Sequence, residues 1–131
     1  MQEKGAWTRN VIPSLIDWVD RRHGQMNYYL IQGLTGHSCF GSYFKRIGKE
    51  KEVRCHHCAA ECDDPEHTWF RCPAWEVQRH EMTEMIGQVY NIQEVVSAML
   101  QDQAKWDAAV QYITVVLREK EAAERTRRQG G

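Results

Sequence analysis

The chain has 131 residues, 42% of them hydrophobic, and carries 17 Lys and Arg against 18 Asp and Glu, a formal net charge of -1. That length supports one modest hydrophobic core, and the near-neutral balance excludes a globally basic polyanion binder, so any nucleic-acid contact has to come from local clustering. No apolar run approaches the ~20 residues that a membrane span needs, so the chain reads as soluble, with no membrane partner.

Apolar spacing is helical nearly throughout. Ser14 after Pro13 opens a first stripe of Leu15, Ile16, Trp18 and Val19 that ends near Gly24, and Met26, Tyr29, Leu30 and Leu34 make a second. Gly33 and Gly36 are expected to loosen the chain before an amphipathic helix through Phe40, Tyr43, Phe44 and Ile47 that stops at Gly48. Pro73 can start a further helix lined by Trp75, Met82, Met85, Ile86 and Val89 and weakened by Gly87. Asn91 with Glu94 offers a capping pair for the next, whose face is Ile92, Val95, Val96, Met99 and Leu100. In the last helix Trp106, Val110, Ile113 and Leu117 face inward; the charged tail 118–131 lacks apolar partners, and its end is expected to fray. At this spacing the aromatic and Met stripes read as core rather than as a ligand box. The fold expected is all-α: a single small helical domain over 1–131 with an embedded Cys-Cys-His-Cys zinc knuckle at 55–72.

The knuckle is the strongest chemical signal. Cys55, Cys58, His67 and Cys72 form a Cys-x2-Cys-x8-His-x4-Cys array within eighteen residues, the ligand set of a closed tetrahedral zinc site. Asp63 or Asp64 can cap a short helix with Pro65 at its first position, which puts His67 in the first turn and Cys72 at the exit, before Pro73. Three thiolates and one imidazole leave no open coordination position, so one structural Zn2+ per chain is expected rather than a catalytic one. Other donors are near: Cys62 could replace His67, and His56 and His57 are chemically able to bind. Cys39 reads as packed or free. A disulfide framework is not expected, because the cysteine count of 5 is odd, no secretory signal is read, and three ligand cysteines share one loop.

Between residues 45 and 54, Lys45, Arg46, Lys49, Lys51 and Arg54 face only Glu50 and Glu52, whereas residues 55 to 72 hold four acids and one Arg. A polyanion would approach from the Lys45 side. Such a segment can be a solvated helix end and linker. Beside a knuckle that also offers His56, His57 and Trp69, it reads as a nucleic-acid contact, because knuckles stack exposed bases and meet phosphates with cations.

The runs LIQGLTGHSCFGSYFKRIGKEKEVRCHHC and DDPEHTWFRCPAWEVQR resemble the C-terminal region downstream of the reverse transcriptase domain in insect non-LTR retrotransposon polyproteins. The carrying motifs are Gln32 to His37, Tyr43 to Gly48 with its Arg-Ile-Gly, and Cys55 to Cys72; Ile12-Pro13, Trp18, Arg21-Arg22-His23-Gly24 and the tail from Lys120 to Arg125 are similar as well. The resemblance covers most of the chain. It implies an accessory part of a larger protein that nicks chromosomal DNA and copies its RNA from the nick, with RNA or DNA and the rest of the polyprotein as partners. It also implies a nuclear and cytoplasmic location. The knuckle would help to hold template RNA or target DNA. No enzymatic activity is expected of this chain: Asp63-Asp64 lies inside the zinc loop and reads as a helix cap, and His37, Cys39 and His67 make no defensible nucleophile and base set. The other reading left open is a zinc-stapled structural or protein-interaction module.

Overall fold

A computed structural model describes residues 15–35, 55, 57–58 and 64–130, with side chains described at 17–34, 55, 57–58 and 64–127. Its elements are α1 (Leu15–Asp20), α2 (Tyr28–Thr35), a π turn (His67–Arg71), a 3-10 turn (Pro73–Trp75), α3 (Glu76–Ile86), α4 (Ile92–Met99) and α5 (Gln103–Gly130). The described residues contain no strand, and no described helix is long and apolar enough to cross a membrane. The all-α expectation therefore holds. The expected helix through Phe40 and Ile47, and Gly36 before it, lie outside the described residues.

Helix α5 is the central element, and α2, α3 and α4 pack on it. Asp102 starts it: the Asp102 carboxylate accepts the Lys105 N–H at 2.8 Å, satisfying a donor that the first turn leaves without an intrahelical partner. Trp106, Ala109, Ile113, Val116 and Leu117 are all buried, and their three- and four-residue spacing keeps them on one face. Each large side chain so buried contributes about 1.5–3 kcal/mol.

Helix α4 carries the sharpest amphipathic pattern. Its Asn91 cap accepts the Glu94 N–H at 2.9 Å, and the Glu94 carboxylate accepts the Tyr90 N–H at 3.2 Å, so the capping pair forms with its return arm one residue earlier than the usual box. Ile92, Val95, Val96 and Met99 are buried, as the stripe predicts.

At the other end of the core, Trp18 of α1 lies 5.1 Å from Trp106, and the Arg21 guanidinium stands 4.7 Å from each of the two rings. Gly24 makes the close turn here. Its φ is +87°, and a Cβ at this position would stand 2.3 Å from the Trp106 ring, so the site excludes any side chain on both counts. Asn27 then caps α2, accepting the Leu30 N–H at 2.7 Å, and Leu30 and Leu34 are buried against the core.

Several expectations are corrected. Val19, Met26 and Met85 are exposed: Val19 and Met85 lie on solvent-facing positions of α1 and α3, and Met26 lies in the linker between α1 and α2. Val89 is buried but lies in the α3–α4 linker, since α3 ends at Ile86. Gly33 does not loosen the chain: it lies inside α2, where a Cβ would meet the Ile113 side chain at 2.8 Å. Helix α5 runs on through the charged stretch to Gly130, and that stretch is not without partners. It keeps tertiary partners there, for the Tyr29 hydroxyl donates to the Glu121 carboxylate at 2.8 Å and Lys120 is buried. That hydrogen bond to Glu121, before burial, raises the Tyr29 pKa.

Candidate metal centre

The ligand atoms of Cys55, Cys58, His67 and Cys72 all lie within 4.8 Å of one another. Four such atoms placed tetrahedrally around a zinc-sized ion stand roughly 3.5–3.8 Å apart, from metal–sulfur and metal–nitrogen bonds of about 2.3 and 2.0 Å. Across the site, the Cys55 and Cys72 Sγ atoms are 3.9 Å apart, and Cys58 Sγ is 3.3 Å from His67 Nε2. The first separation is nearly twice the ~2.05 Å of a disulfide. The Cys3His group can hold one metal ion.

Local hydrogen bonding explains how the chain builds this cluster. The Asp64 carboxylate accepts the His67 N–H at 2.8 Å, and the Asp64 carbonyl accepts the Thr68 N–H at 3.0 Å, so Asp64 is the cap that starts the second ligand arm. Asp63 lies outside the described residues. The helix beginning at Pro65 widens into the π turn and closes with the Cys72 N–H donating to the His67 carbonyl at 2.8 Å. That five-residue closure brings both ends of the arm to one side. Cys72 is itself extended, and Pro73 begins the 3-10 turn that leads the chain away into α3.

Each of the two buried sulfurs is met by a backbone N–H two residues downstream. His57 N–H points to Cys55 Sγ at 3.4 Å, and the Ala74 N–H bonds the Cys72 sulfur. Such donors favour the thiolate form. Burial works against them and, together with the neighbouring Cys55 and Cys58, pushes the Cys72 thiol up to about 12. A divalent cation reverses that balance, because coordination deprotonates a thiol outright. Cys55 and Cys72 are 2% and 0% exposed while Cys58 and His67 are half-buried.

Arg79 of α3 surrounds the back of the π turn. Its Nε donates to the Trp69 carbonyl at 2.9 Å and its Nη2 to the Cys72 carbonyl at 2.7 Å, with looser contacts of 3.4 Å to the Thr68 carbonyl and the Tyr112 hydroxyl. Tyr112 in turn donates its hydroxyl to the Trp69 carbonyl at 2.8 Å. Sequence reasoning missed both residues. Tyr112 could have been found by extending the α5 stripe through Ala109 and Val116 at three- and four-residue spacing. Arg79 leaves a fainter trace, a cation in the first turn of a helix, where the macrodipole disfavours it.

The expected nucleic-acid contacts divide differently. Lys45, Arg46, Lys49, Lys51, Arg54 and His56 lie outside the described residues, as do the alternative donor Cys62 and Cys39. His57 is half-buried, with its ring 5.0 Å from Trp75. Trp69 is corrected: it is 1% exposed, packs edge-on against Tyr112 at 5.6 Å and lies beside Gly33, so its indole is core and not a base-stacking surface. The outward neighbour Arg71 pairs with Glu66 at 2.9 Å, both exposed, a contact of little energetic weight.

No protein-family model, curated protein or solved structure matches the chain.

Proposed function

We propose that this chain is a zinc-stapled nucleic-acid-binding module of the non-LTR retrotransposon kind, helping to hold template RNA or target DNA during target-primed reverse transcription. The observation that supports it most directly is the position of the metal-binding cluster. Cys55 opens that cluster and follows immediately on the segment Lys45 to Arg54, where five cations oppose two acids. Zinc suits the donor set, since three thiolates and an imidazole select a borderline-soft ion with no geometric demand beyond the tetrahedron. Joining the two arms, it would contribute on the order of 10 kcal/mol of binding energy coupled to folding. The role is accessory, without polymerase or nuclease chemistry, and the remainder of a retrotransposon protein is the proposed protein partner.

Gel shifts with single-stranded RNA, single-stranded DNA and duplex DNA at two salt concentrations test the reading. Salt-sensitive binding by the metal-loaded chain supports it; no binding at low salt with metal present sinks it. A second reading, a protein-interaction module, is favoured by the exposed Val77, Met85 and Tyr90 along α3 and the linker that follows.

A further inference from the structure

We infer that Arg79 is a positioning residue for the metal centre, holding the carbonyl edge of the π turn so that the His67–Cys72 arm keeps its ligand geometry, and offsetting the negative charge of three thiolates. The inference rests on the metal-centre reading and adds to it a residue outside the ligand set.

Three observations converge on Arg79. The first is its location in the opening turn of α3, where the dipole of its own helix disfavours a cation. Something must hold it there. The second is what it touches: the carbonyls of Thr68, Trp69 and Cys72, and the Tyr112 hydroxyl. The last carbonyls of any helical turn lack partners within that turn. A guanidinium is the side chain whose planar fork can serve several of them at once. Because Cys72 is a ligand, the 2.7 Å bond from Nη2 to its carbonyl fixes the backbone from which the metal-binding sulfur projects. The third is charge. A dication bound by three thiolates and a neutral imidazole carries a formal charge of -1, and the four oxygens that Arg79 contacts are all neutral, so no carboxylate in that set offsets its positive charge. Outer partners of this kind set ligand orientation and metal affinity.

Cobalt(II) is a suitable probe, because its ligand-field envelope and sulfur-to-metal charge-transfer band report the coordination geometry directly. Wild type, Arg79→Met, Arg79→Lys and Val96→Ala would be titrated with Co2+ and with Zn2+ against a competing chelator. Val96 is buried in α4, so its truncation controls for general loss of core stability. Arg79→Met is expected to weaken both metals at least about tenfold and to alter the cobalt envelope. Arg79→Lys should recover part of the affinity through charge but not the envelope, since an ammonium cannot fork across several carbonyls. Val96→Ala should keep the wild-type spectrum. An Arg79→Met protein indistinguishable from wild type in affinity and spectrum overturns the inference while leaving the metal centre intact. If Arg79→Met fails to fold even with metal, a wild-type envelope in Arg79→Lys overturns it equally. A wild-type chain that takes up neither metal overturns the metal-centre reading itself, and the inference with it.

Discussion

Gly33 lies so close to Ile113 that a Cβ built on it would stand 2.8 Å from the Ile113 Cγ2 atom and 3.3 Å from the Trp69 ring. Helix α2 therefore approaches α5 at a distance that a side chain at position 33 would not permit. In an open helix, replacing Gly by Ala stabilises by roughly 0.5–1 kcal/mol. Here Gly33→Ala is expected to destabilise by about 1–3 kcal/mol through overpacking. Chemical denaturation would measure it, and the penalty should shrink when the same change is made in an Ile113→Ala background, because the two positions are in contact. A stabilised Gly33→Ala protein would show that α2 does not pack this way.

Metal content separates the ligands from their neighbours. One ion per chain is expected in the wild type, with loss of that ion in Cys58→Ser and in His67→Ala, whose donor atoms face each other at 3.3 Å. Elemental analysis after dialysis checks it. Cys62→Ser should retain the metal; loss in that variant with retention in His67→Ala would transfer the fourth ligand to Cys62.

Alkaline stability should report Tyr112. Burial raises its pKa from the ordinary 10.0 to about 12, with the nearby Arg79 opposing the rise. A raised folded-state value favours the neutral phenol, so this contribution is fully present below pH 10 and is lost as the pH climbs through about 12. The gap corresponds to roughly 2–3 kcal/mol. Denaturation of the metal-loaded protein across that window should show a decline that is shallower in Tyr112→Phe, and equal slopes in the two proteins would refute the assignment.

Binding to single strands tests the basic segment. If three of its cations meet phosphates, the log-log salt slope should be about -2, from roughly -0.7 per contact. Charge reversal at Lys45, Arg46 and Lys49 should weaken RNA and DNA alike and leave the metal content unchanged, because phosphate contacts position without specifying sequence. Undiminished binding in the triple variant would move the contact surface elsewhere, with Arg125, Arg127 and Arg128 as the next candidates.

By itself the sequence determined the features whose physics is local. The Cys-x2-Cys and His-x4-Cys spacings each keep two candidate ligands together because the intervening backbone is too short to carry them far apart. The Asp64 and Asn91 caps were legible for the same reason: each side chain reaches an N–H three residues on. Period alone identified the buried face of α4. What the tertiary structure decided involves partners distant along the chain. Trp69 looks like an exposed aromatic beside a knuckle until α2 and α5 close over it. The charged stretch after Arg118 reads as a tail without partners until Tyr29, 92 residues earlier than Glu121, donates its hydroxyl to it. Gly33 reads as a loosening point until Ile113 arrives, and Arg79 gains its role only when the carbonyls of the π turn come within reach. Spacing along a chain specifies which side chains share a face; which backbone or ring meets that face depends on how the helices pack.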